Sequence, residues 1–501
     1  MSLAPAESQT HRRGTGDEDG GQSRHLAAGQ WVVTTYFAEG FPYALIHNVA
    51  DVMFKEMGAS LAVIGLTSLF HLPWNLKFLW APTLDRFETK RRFLLGCELL
   101  LIPVVGLLAI FGTTISFAAL GLVFVVIATL AATHDAAIDG YYLEALDEAG
   151  RARYVGQRAA AYKIAMMLAA GPLLVVAGRF GWRAAWLAAT GVMVVLFTLH
   201  WRLLPEVERV RSALRDWWRE SSSPRQSRAL RPILRGLGVG AFVWTVIAAA
   251  QWAGLRLPAE QWIALLLLLA IFGALVSLKR LRRYLERSQS AYGIAFVDFL
   301  AQPRVGRILA IVLLFRTGES FLMKMRLPFL RDACGMSLED YGWINGTFGI
   351  IATIAGTFIA GQLIARHGLR RWLWPCVVLQ NVPNLSYFLL SVVDQPHELG
   401  LWTVGGVVVF EDFGAGVGIA VFMVYLMRCC DPRHKVTHMA LLTALMSVGF
   451  TIAGVMSGFL AEALGFAPYF LGTFVATIPA MLLLPGAPHM EAEPTGVPDS
   501  A

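Results

Sequence analysis

The sequence has little charge and few cysteines. Only 15% of its 501 residues are Asp, Glu, Lys or Arg, whereas 56% are hydrophobic, and a soluble domain is nearer a quarter charged. The five cysteines show no metal-ligand spacing, and we expect no disulfide framework. Because the scarcity of charge comes with long apolar runs, the composition excludes an ordinary soluble domain and indicates a membrane protein.

Several chemical motifs are also missing. The chain has no GxxxxGK[ST] phosphate loop, no HExxH zinc motif and no GxSxG nucleophile turn. We therefore expect neither ATP-driven transport nor enzyme activity, and we expect no cofactor and no metal. The net charge of +7 does not indicate a nucleic-acid partner, because the Lys and Arg residues cluster in short loops between apolar runs.

Apolar segments of about 20 residues recur roughly fourteen times, which predicts an all-α polytopic membrane protein. In chain order they cover about 29–53, 61–81, 93–112, 115–141, 156–178, 184–204, 234–253, 260–278, 306–328, 341–365, 372–392, 399–427, 438–462 and 466–484. Basic residues occupy every second connecting loop. The positive-inside rule therefore predicts that both termini lie in the cytoplasm.

The chain contains an internal repeat. Glu39-Gly-Phe41 in the first segment is matched by Glu319-Ser-Phe321 in the ninth, 280 residues later, and Ser60-Leu61 by Ser337-Leu338. A repeat of this length predicts two parallel six-helix halves around a midplane site. The two remaining segments, 234–278, would form an inserted hairpin.

This repeat divides the chain into five predicted regions. They are a disordered cytoplasmic tail (1–27), an N-terminal six-helix bundle (28–204), a cytoplasmic linker with the extra transmembrane hairpin (205–305), a C-terminal six-helix bundle (306–485) and a cytoplasmic tail (486–501).

Two six-helix halves, each with a GxLxxRxGxRR-like loop after its second helix, resemble the major facilitator superfamily. The first copy of the loop runs from Ala81 to Arg92, and the second from Gly361 to Arg371. In that superfamily the loop latches the two halves together on the cytoplasmic face. The resemblance therefore implies a cytoplasmic latch, with the candidate residues Asp85, Arg86, Arg366 and Arg370.

A narrower resemblance, from about 30 to 480, is to the AmpG family of muropeptide permeases. The matching stretches are Gly40–Pro42, Leu72–Arg86, Asp135–Tyr141, Gly349–Gly356 and Thr437–Leu442. The sequence departs from that family at His134 and His438, where Gln is usual, and at Tyr142, where Arg is usual.

The AmpG resemblance implies secondary transport by alternating access. The expected function is proton-coupled import of a cell-wall anhydro-muropeptide through the bacterial inner membrane, by a monomer whose partners are a small-molecule or glycopeptide substrate, protons and the lipid bilayer. Two alternatives stay open. One is import of another bulky solute, such as a siderophore or an acyl-coenzyme derivative, and the other is a non-transporting membrane sensor.

Charged residues inside the apolar segments are the candidate functional residues, because a charge at that depth is costly unless it is paired or hydrated. Asp135 and Asp139 stand four apart, on one helical face. A rise of about 1.5 Å per residue places Lys77, Asp135 and Lys163 in one layer. We predict that Lys77 or Lys163 pairs with Asp135, either as part of the coupling step or as a static lock.

Further candidates follow from the repeat. Arg316 and Glu319 stand three apart and are predicted to pair, facing Glu39 across a central cavity. Candidates for proton coupling or gating are Asp135, Asp139, Glu39, Glu319, Arg316, Glu411 and Asp412. Candidates for the substrate cavity are Lys77, Lys163, His134, Tyr36, Asn345, Asn381 and His438. A packing lock is the alternative for the charged groups, and a hydrogen-bonded structural role is the alternative for the histidines.

Overall fold

The computed structural model describes residues 26–77, 80, 81, 84, 88–206 and 291–490, and their regular structure is helical. The predicted all-α polytopic class is confirmed: within these ranges seven helices are long and apolar enough to cross a membrane. The predicted hairpin (234–278), most of its linker and most of both tails lie outside the described residues. The bounds of the five regions stay a prediction.

We call residues 26–206 the N-terminal half and residues 291–490 the C-terminal half. The helices of the N-terminal half are α1 (Ala28–Ala44), α2 (Ala50–Glu56), α3 (Leu61–Leu66), α4 (Leu72–Leu76), α5 (Lys90–Phe111), α6 (Phe117–Ala145), α7 (Glu148–Ala170) and α8 (Pro172–Leu203). Those of the C-terminal half are α9 (Ala291–Leu300), α10 (Val305–Leu314), α11 (Thr317–Asp332), α12 (Leu338–Trp343), α13 (Ile350–His367), α14 (Leu369–Ser391), α15 (Leu401–Arg428), α16 (Lys435–Leu464), α17 (Phe466–Val475) and α18 (Ile478–Leu483).

Local sequence accounts for where many of these helices begin and bend. Ser60 and Ser337, at matching positions of the repeat, both cap a helix: each hydroxyl accepts a hydrogen bond from the backbone N–H three residues on. Short π-helical segments, Leu45–Val49 and Ile344–Gly349, join α1 to α2 and α12 to α13. Such segments often occur at functional sites in helices, and Leu45–Val49 lies beside the cavity described below.

The two halves pack closely at one end, which we call the closed end. It holds the loops that follow α2, α5 and α11. There α3 packs along α16, and α12 packs along α8. Glycine permits the approach: a Cβ on Gly346 would stand 1.8 Å from the Ala170 carbonyl oxygen, and one on Gly65 would stand 2.9 Å from that of Val455. We call the other end, where α7 and α16 begin, the far end.

Candidate functional site

A cavity of about 340 Å³ lies between the two halves. The N-terminal half contributes the π-helical segment after α1, the 3₁₀ segment Thr67–His71 and Met166 of α7, and the C-terminal half contributes α11 and α16. The volume is within the usual range of small-molecule sites. The cavity therefore occupies the central position that the internal repeat predicts.

The wall from the N-terminal half is aromatic with polar edges. The ring centroids of Tyr43 and His47 lie 4.2 Å apart, and those of His47 and Trp74 lie 5.1 Å apart. His47 Nε2 stands 3.1 Å from His71 Nδ1, so the two imidazoles share a hydrogen bond. Aromatic faces of this kind can stack against a flat or ring-shaped solute, while their polar atoms hydrogen-bond it. The position of Tyr43 on this wall did not emerge from the sequence.

The wall from the C-terminal half carries two cations. Arg316 Nε lies 2.9 Å from Glu319 Oε2, which also accepts a hydrogen bond from Gln380 Nε2 at 3.0 Å. The predicted Arg316–Glu319 pair is thus confirmed. Lys324 Nζ reaches across the cavity to Asp51 Oδ2, at 2.7 Å, and to Thr67 Oγ1, at 2.6 Å. The Lys324–Asp51 pair links the two halves directly.

A second charged cluster lies in the N-terminal half. Lys77 forms an ion pair with Asp135, as predicted. Glu39 lies buried beside Asp135, and its Oε2 has no hydrogen-bond partner among the described residues. The cluster thus joins α1, α6 and the end of the second predicted segment.

Asp139 extends this cluster by one turn of α6. Tyr36 Oη donates a hydrogen bond to Asp139 Oδ1 at 2.9 Å, and Arg158 Nη2 lies 2.9 Å from the same oxygen. The Arg158 guanidinium stands over the Tyr36 ring, 4.4 Å from its centroid, a distance suited to a cation–π contact. The geometry places Tyr36 as a partner of Asp139.

The acids of α15 find their basic partner in α11. Arg326 forms ion pairs with Glu411 and with Asp412, the latter at 3.0 Å, and all three side chains are buried. The sequence indicated that the two acids need a wet or basic partner, but it did not identify Arg326. An Arg inside the ninth apolar segment was the available signal. Asn345 and Asn381 are buried in the same half, and Asn381 Nδ2 donates to the Val377 carbonyl oxygen.

The two candidate histidines lie outside the cavity lining. His134 Nε2 stands 3.4 Å from Glu98 Oε1, which lies 2.7 Å from His200 Nδ1, and all three side chains are buried. His438 Nε2 lies 2.8 Å from the Ala295 carbonyl oxygen, and its Nδ1 accepts from the Asp431 N–H. These contacts favour the structural alternative for both histidines. The acid Glu98 was not identified from the sequence.

The remaining candidates are Lys163 and the latch. Lys163 lies in α7 and is partly buried. Asp85 and Arg86 lie outside the described residues, whereas Arg366 and Arg370 are exposed beside the junction of α13 and α14 at the far end. The cytoplasmic latch therefore stays a prediction.

Comparison with known proteins shows two similarities that agree with each other. A sequence model of the Major Facilitator Superfamily matches residues 308–500. The anhydromuropeptide permease of Escherichia coli K12 is 24% identical over 454 residues, which cover 89% of this chain and 77% of the permease. The chain is therefore similar to this superfamily over residues 308–500 and to the permease over most of its length. It is a multi-pass membrane protein, and the relatives that it resembles are permeases.

Further similarities are to an AmpG protein and to solved transporter structures, which show the fold of this chain. The AmpG 2 protein of Rickettsia prowazekii is 30% identical over 190 residues, or 38% of this chain and 45% of its own length. A crystal structure of the peptide transporter POT in complex with sulfate superposes with a TM-score of 0.65 at 16% identity, covering 94% of this chain and 96% of the transporter. An inward-facing, occupied bacterial homologue of the lysosomal transporter Spinster superposes with a TM-score of 0.58 at 14% identity, covering 93% and 97%.

Proposed function

We propose that this protein is a secondary transporter that imports a bulky amphiphilic solute of the anhydro-muropeptide type across the bacterial inner membrane, driven by protons. The observation that carries the proposal is the central cavity. One half supplies aromatic faces and the other supplies cations, at Arg316 and Lys324. Such walls suit a solute that combines ring-shaped groups with carboxylates. The similarity to the Escherichia coli anhydromuropeptide permease supports the same substrate class.

Charge balance supports proton coupling. Among the described residues of the N-terminal half, the three carboxylates Glu39, Asp135 and Asp139 are grouped with two cations, Lys77 and Arg158. An uncompensated charge is expensive in a low-dielectric interior. We therefore infer that this cluster holds one proton in its neutral state, with Glu39 as its carrier, because the Glu39 carboxyl has no basic partner of its own among the described residues.

The C-terminal half repeats this imbalance. Glu319, Glu411 and Asp412 are grouped with two cations, Arg316 and Arg326. Only Arg316 lines the cavity, so a solute carboxylate can compete with Glu319 for its guanidinium. Displacement of Glu319 would favour its protonation. This exchange supplies a physical link between solute binding and proton uptake.

Orientation follows from the distribution of basic loops. Both termini are proposed to lie in the cytoplasm, which makes the closed end periplasmic and the far end cytoplasmic. The described conformation then corresponds to a carrier sealed on the periplasmic side. Since one chain supplies both walls of the cavity, we propose that the monomer is the transporting unit.

Uptake into proteoliposomes tests the proposal. The purified protein should accumulate a labelled anhydro-muropeptide when the lumen is alkaline relative to the outside, and a protonophore should abolish that accumulation. Proton-independent uptake would overturn the coupling. No uptake of muropeptide, with uptake of another bulky anionic solute such as a siderophore, would overturn the substrate assignment. Glu39→Gln should lower the response to the gradient, and Arg153→Gln, a change of an exposed cation on α7, serves as the control.

A further inference from the structure

Lys163 differs from the other cations near the cavity. Among the described residues it has no carboxylate partner, whereas Arg316 pairs with Glu319, Lys324 with Asp51 and Lys77 with Asp135. A partly buried ammonium without a counter-ion is costly. The position therefore suggests a counter-ion other than the described residues.

The helical spacing of α7 shows where Lys163 points. Residues three and four apart share a helical face, which places Lys163, Met166 and Ala170 on one stripe. Met166 lines the cavity, and the Ala170 carbonyl oxygen lies against Gly346 of the opposite half. Lys163 therefore faces the C-terminal half, about 4.5 Å along the helix from Met166 towards the far end.

A cation of the other half lies on the same cavity. Arg316 lines the cavity together with Met166, which is about one turn of α7 from Lys163. The two cations thus approach the interface from opposite halves. In an empty cavity Glu319 compensates Arg316, but no carboxylate of the described residues compensates Lys163, and this uncompensated charge becomes more costly as the halves come together at the far end.

We propose that Lys163 and Arg316 together bind a carboxylate of the solute, and that this anion is required for the far end to close. The inference rests on the proposed import function and deepens it. Arg316 supplies a planar fork and Lys163 a compact charge, which together fit one carboxylate from two sides. A solute lacking that carboxylate leaves the Lys163 charge uncompensated, so the selection of an anionic solute and the closure of the far end have the same cause.

Binding measurements test the recognition step. The probes are a labelled anhydro-muropeptide and its carboxyl methyl ester, each titrated into the purified full-length protein in detergent. Lys163→Gln should weaken binding of the acid about tenfold, in line with the loss of a charge-assisted hydrogen bond, and leave binding of the ester unchanged. Lys163→Arg should retain most of the preference for the acid, and Arg153→Gln should behave as wild type.

The outcomes of this titration separate the two proposals. If the wild-type protein binds neither form, the proposed substrate class is wrong. If it binds the acid and Lys163→Gln binds it equally well, the carboxylate site at Lys163 is wrong while the substrate class stands. Equal loss of acid and ester binding would also overturn the site, since it would indicate a general structural defect.

A distance measurement tests the closure step without any solute. Spin labels replace Glu148 and Lys435, exposed residues at the far end of the two halves, in a variant whose native cysteines are removed. Without ligand, Lys163→Gln should shift the distance distribution towards shorter values, as the muropeptide should do for the wild type. An unchanged distribution in ligand-free Lys163→Gln would overturn the role of the uncompensated Lys163 charge in closure.

Discussion

Lys55 and Asp332 pair with each other across the closed end, with 2.5 Å between Nζ and Oδ2. They stand 277 residues apart, the same offset that separates the matched caps Ser60 and Ser337. In the neighbouring pair the base comes from the C-terminal half and the acid from the N-terminal half: Arg331 Nη2 lies 2.6 Å from Glu56 Oε1. Each half therefore contributes one acid and one base to the closed end.

Charge reversal in the Lys55–Asp332 pair should weaken the contact between the halves at the closed end. Lys55→Glu places two like charges together, and an exposed pair of this kind is worth about 0.2–1 kcal/mol. We expect the population closed at this end to fall about two- to fivefold, read as the distance between spin labels at Thr113 and Gln395. Lys55→Glu combined with Asp332→Lys should restore it. A double variant that behaves like the single one would show that the pair does not hold this end closed.

Close backbone contact between the halves should stabilise the closed end more than these ion pairs do. Gly346→Ala would push a methyl group into the Ala170 carbonyl, and overpacking of this kind costs about 1–3 kcal/mol. The closed end should therefore open in the same label pair, with slower uptake. Gly406→Ala is the matched control, since a Cβ there meets nothing within 4 Å. Equal distance distributions in both variants would contradict the proposed tight contact.

Sequence reasoning succeeded where a contact is local or constrained by depth. Arg316 and Glu319 are three apart on one helix, so their pairing needs no knowledge of tertiary structure. Lys77 and Asp135 lie on different helices, but counting residues from the membrane ends placed them in one layer. Two oppositely charged groups at equal depth in a compact bundle are expected to form an ion pair, because each alone would be a costly buried charge.

Contacts that depend on helix rotation and on neighbour order were not predictable in this way. Depth alone does not say that Arg326 faces Glu411, nor that Glu98 turns away from the cavity towards His134 and His200. Lys55 could have been matched to Asp332 from the repeat offset, but nothing in the sequence shows that matching positions touch. Helix rotation is fixed by packing, such as the Gly346 contact, and a hydropathy pattern carries little of that information.

Separate neutralisation of Lys77 and Asp135 should distinguish a coupling pair from a lock. Asp135→Asn leaves Lys77 without its partner and should lower the melting temperature as well as uptake. The double variant Lys77→Gln/Asp135→Asn removes both charges and should recover most of the thermal stability. If the pair takes part in coupling, uptake by the double variant should stay insensitive to the proton gradient. Recovery of gradient-driven uptake together with stability would leave the pair only a structural role.

The buried triad of Arg326, Glu411 and Asp412 should be the most costly charge cluster to break. Arg326→Met leaves two buried acids without their cation, a loss of about 3–5 kcal/mol by analogy with other buried pairs. Arg326→Lys should rescue little, because one ammonium cannot reproduce the geometry of the guanidinium fork. The measurement is the fraction of monodisperse protein in detergent after heating.

A variant that lacks all three charges shows whether the triad does more than stabilise the fold. Combining Arg326→Met with Glu411→Gln and Asp412→Asn removes all three charges and should recover much of the lost stability, since no buried charge is then left unpaired. The proposed proton balance of the C-terminal half involves Glu411 and Asp412, so this variant should fold and yet respond weakly to the proton gradient. If uptake by this variant depends on the proton gradient as in the wild type, the coupling proton is carried by the Glu39 cluster alone.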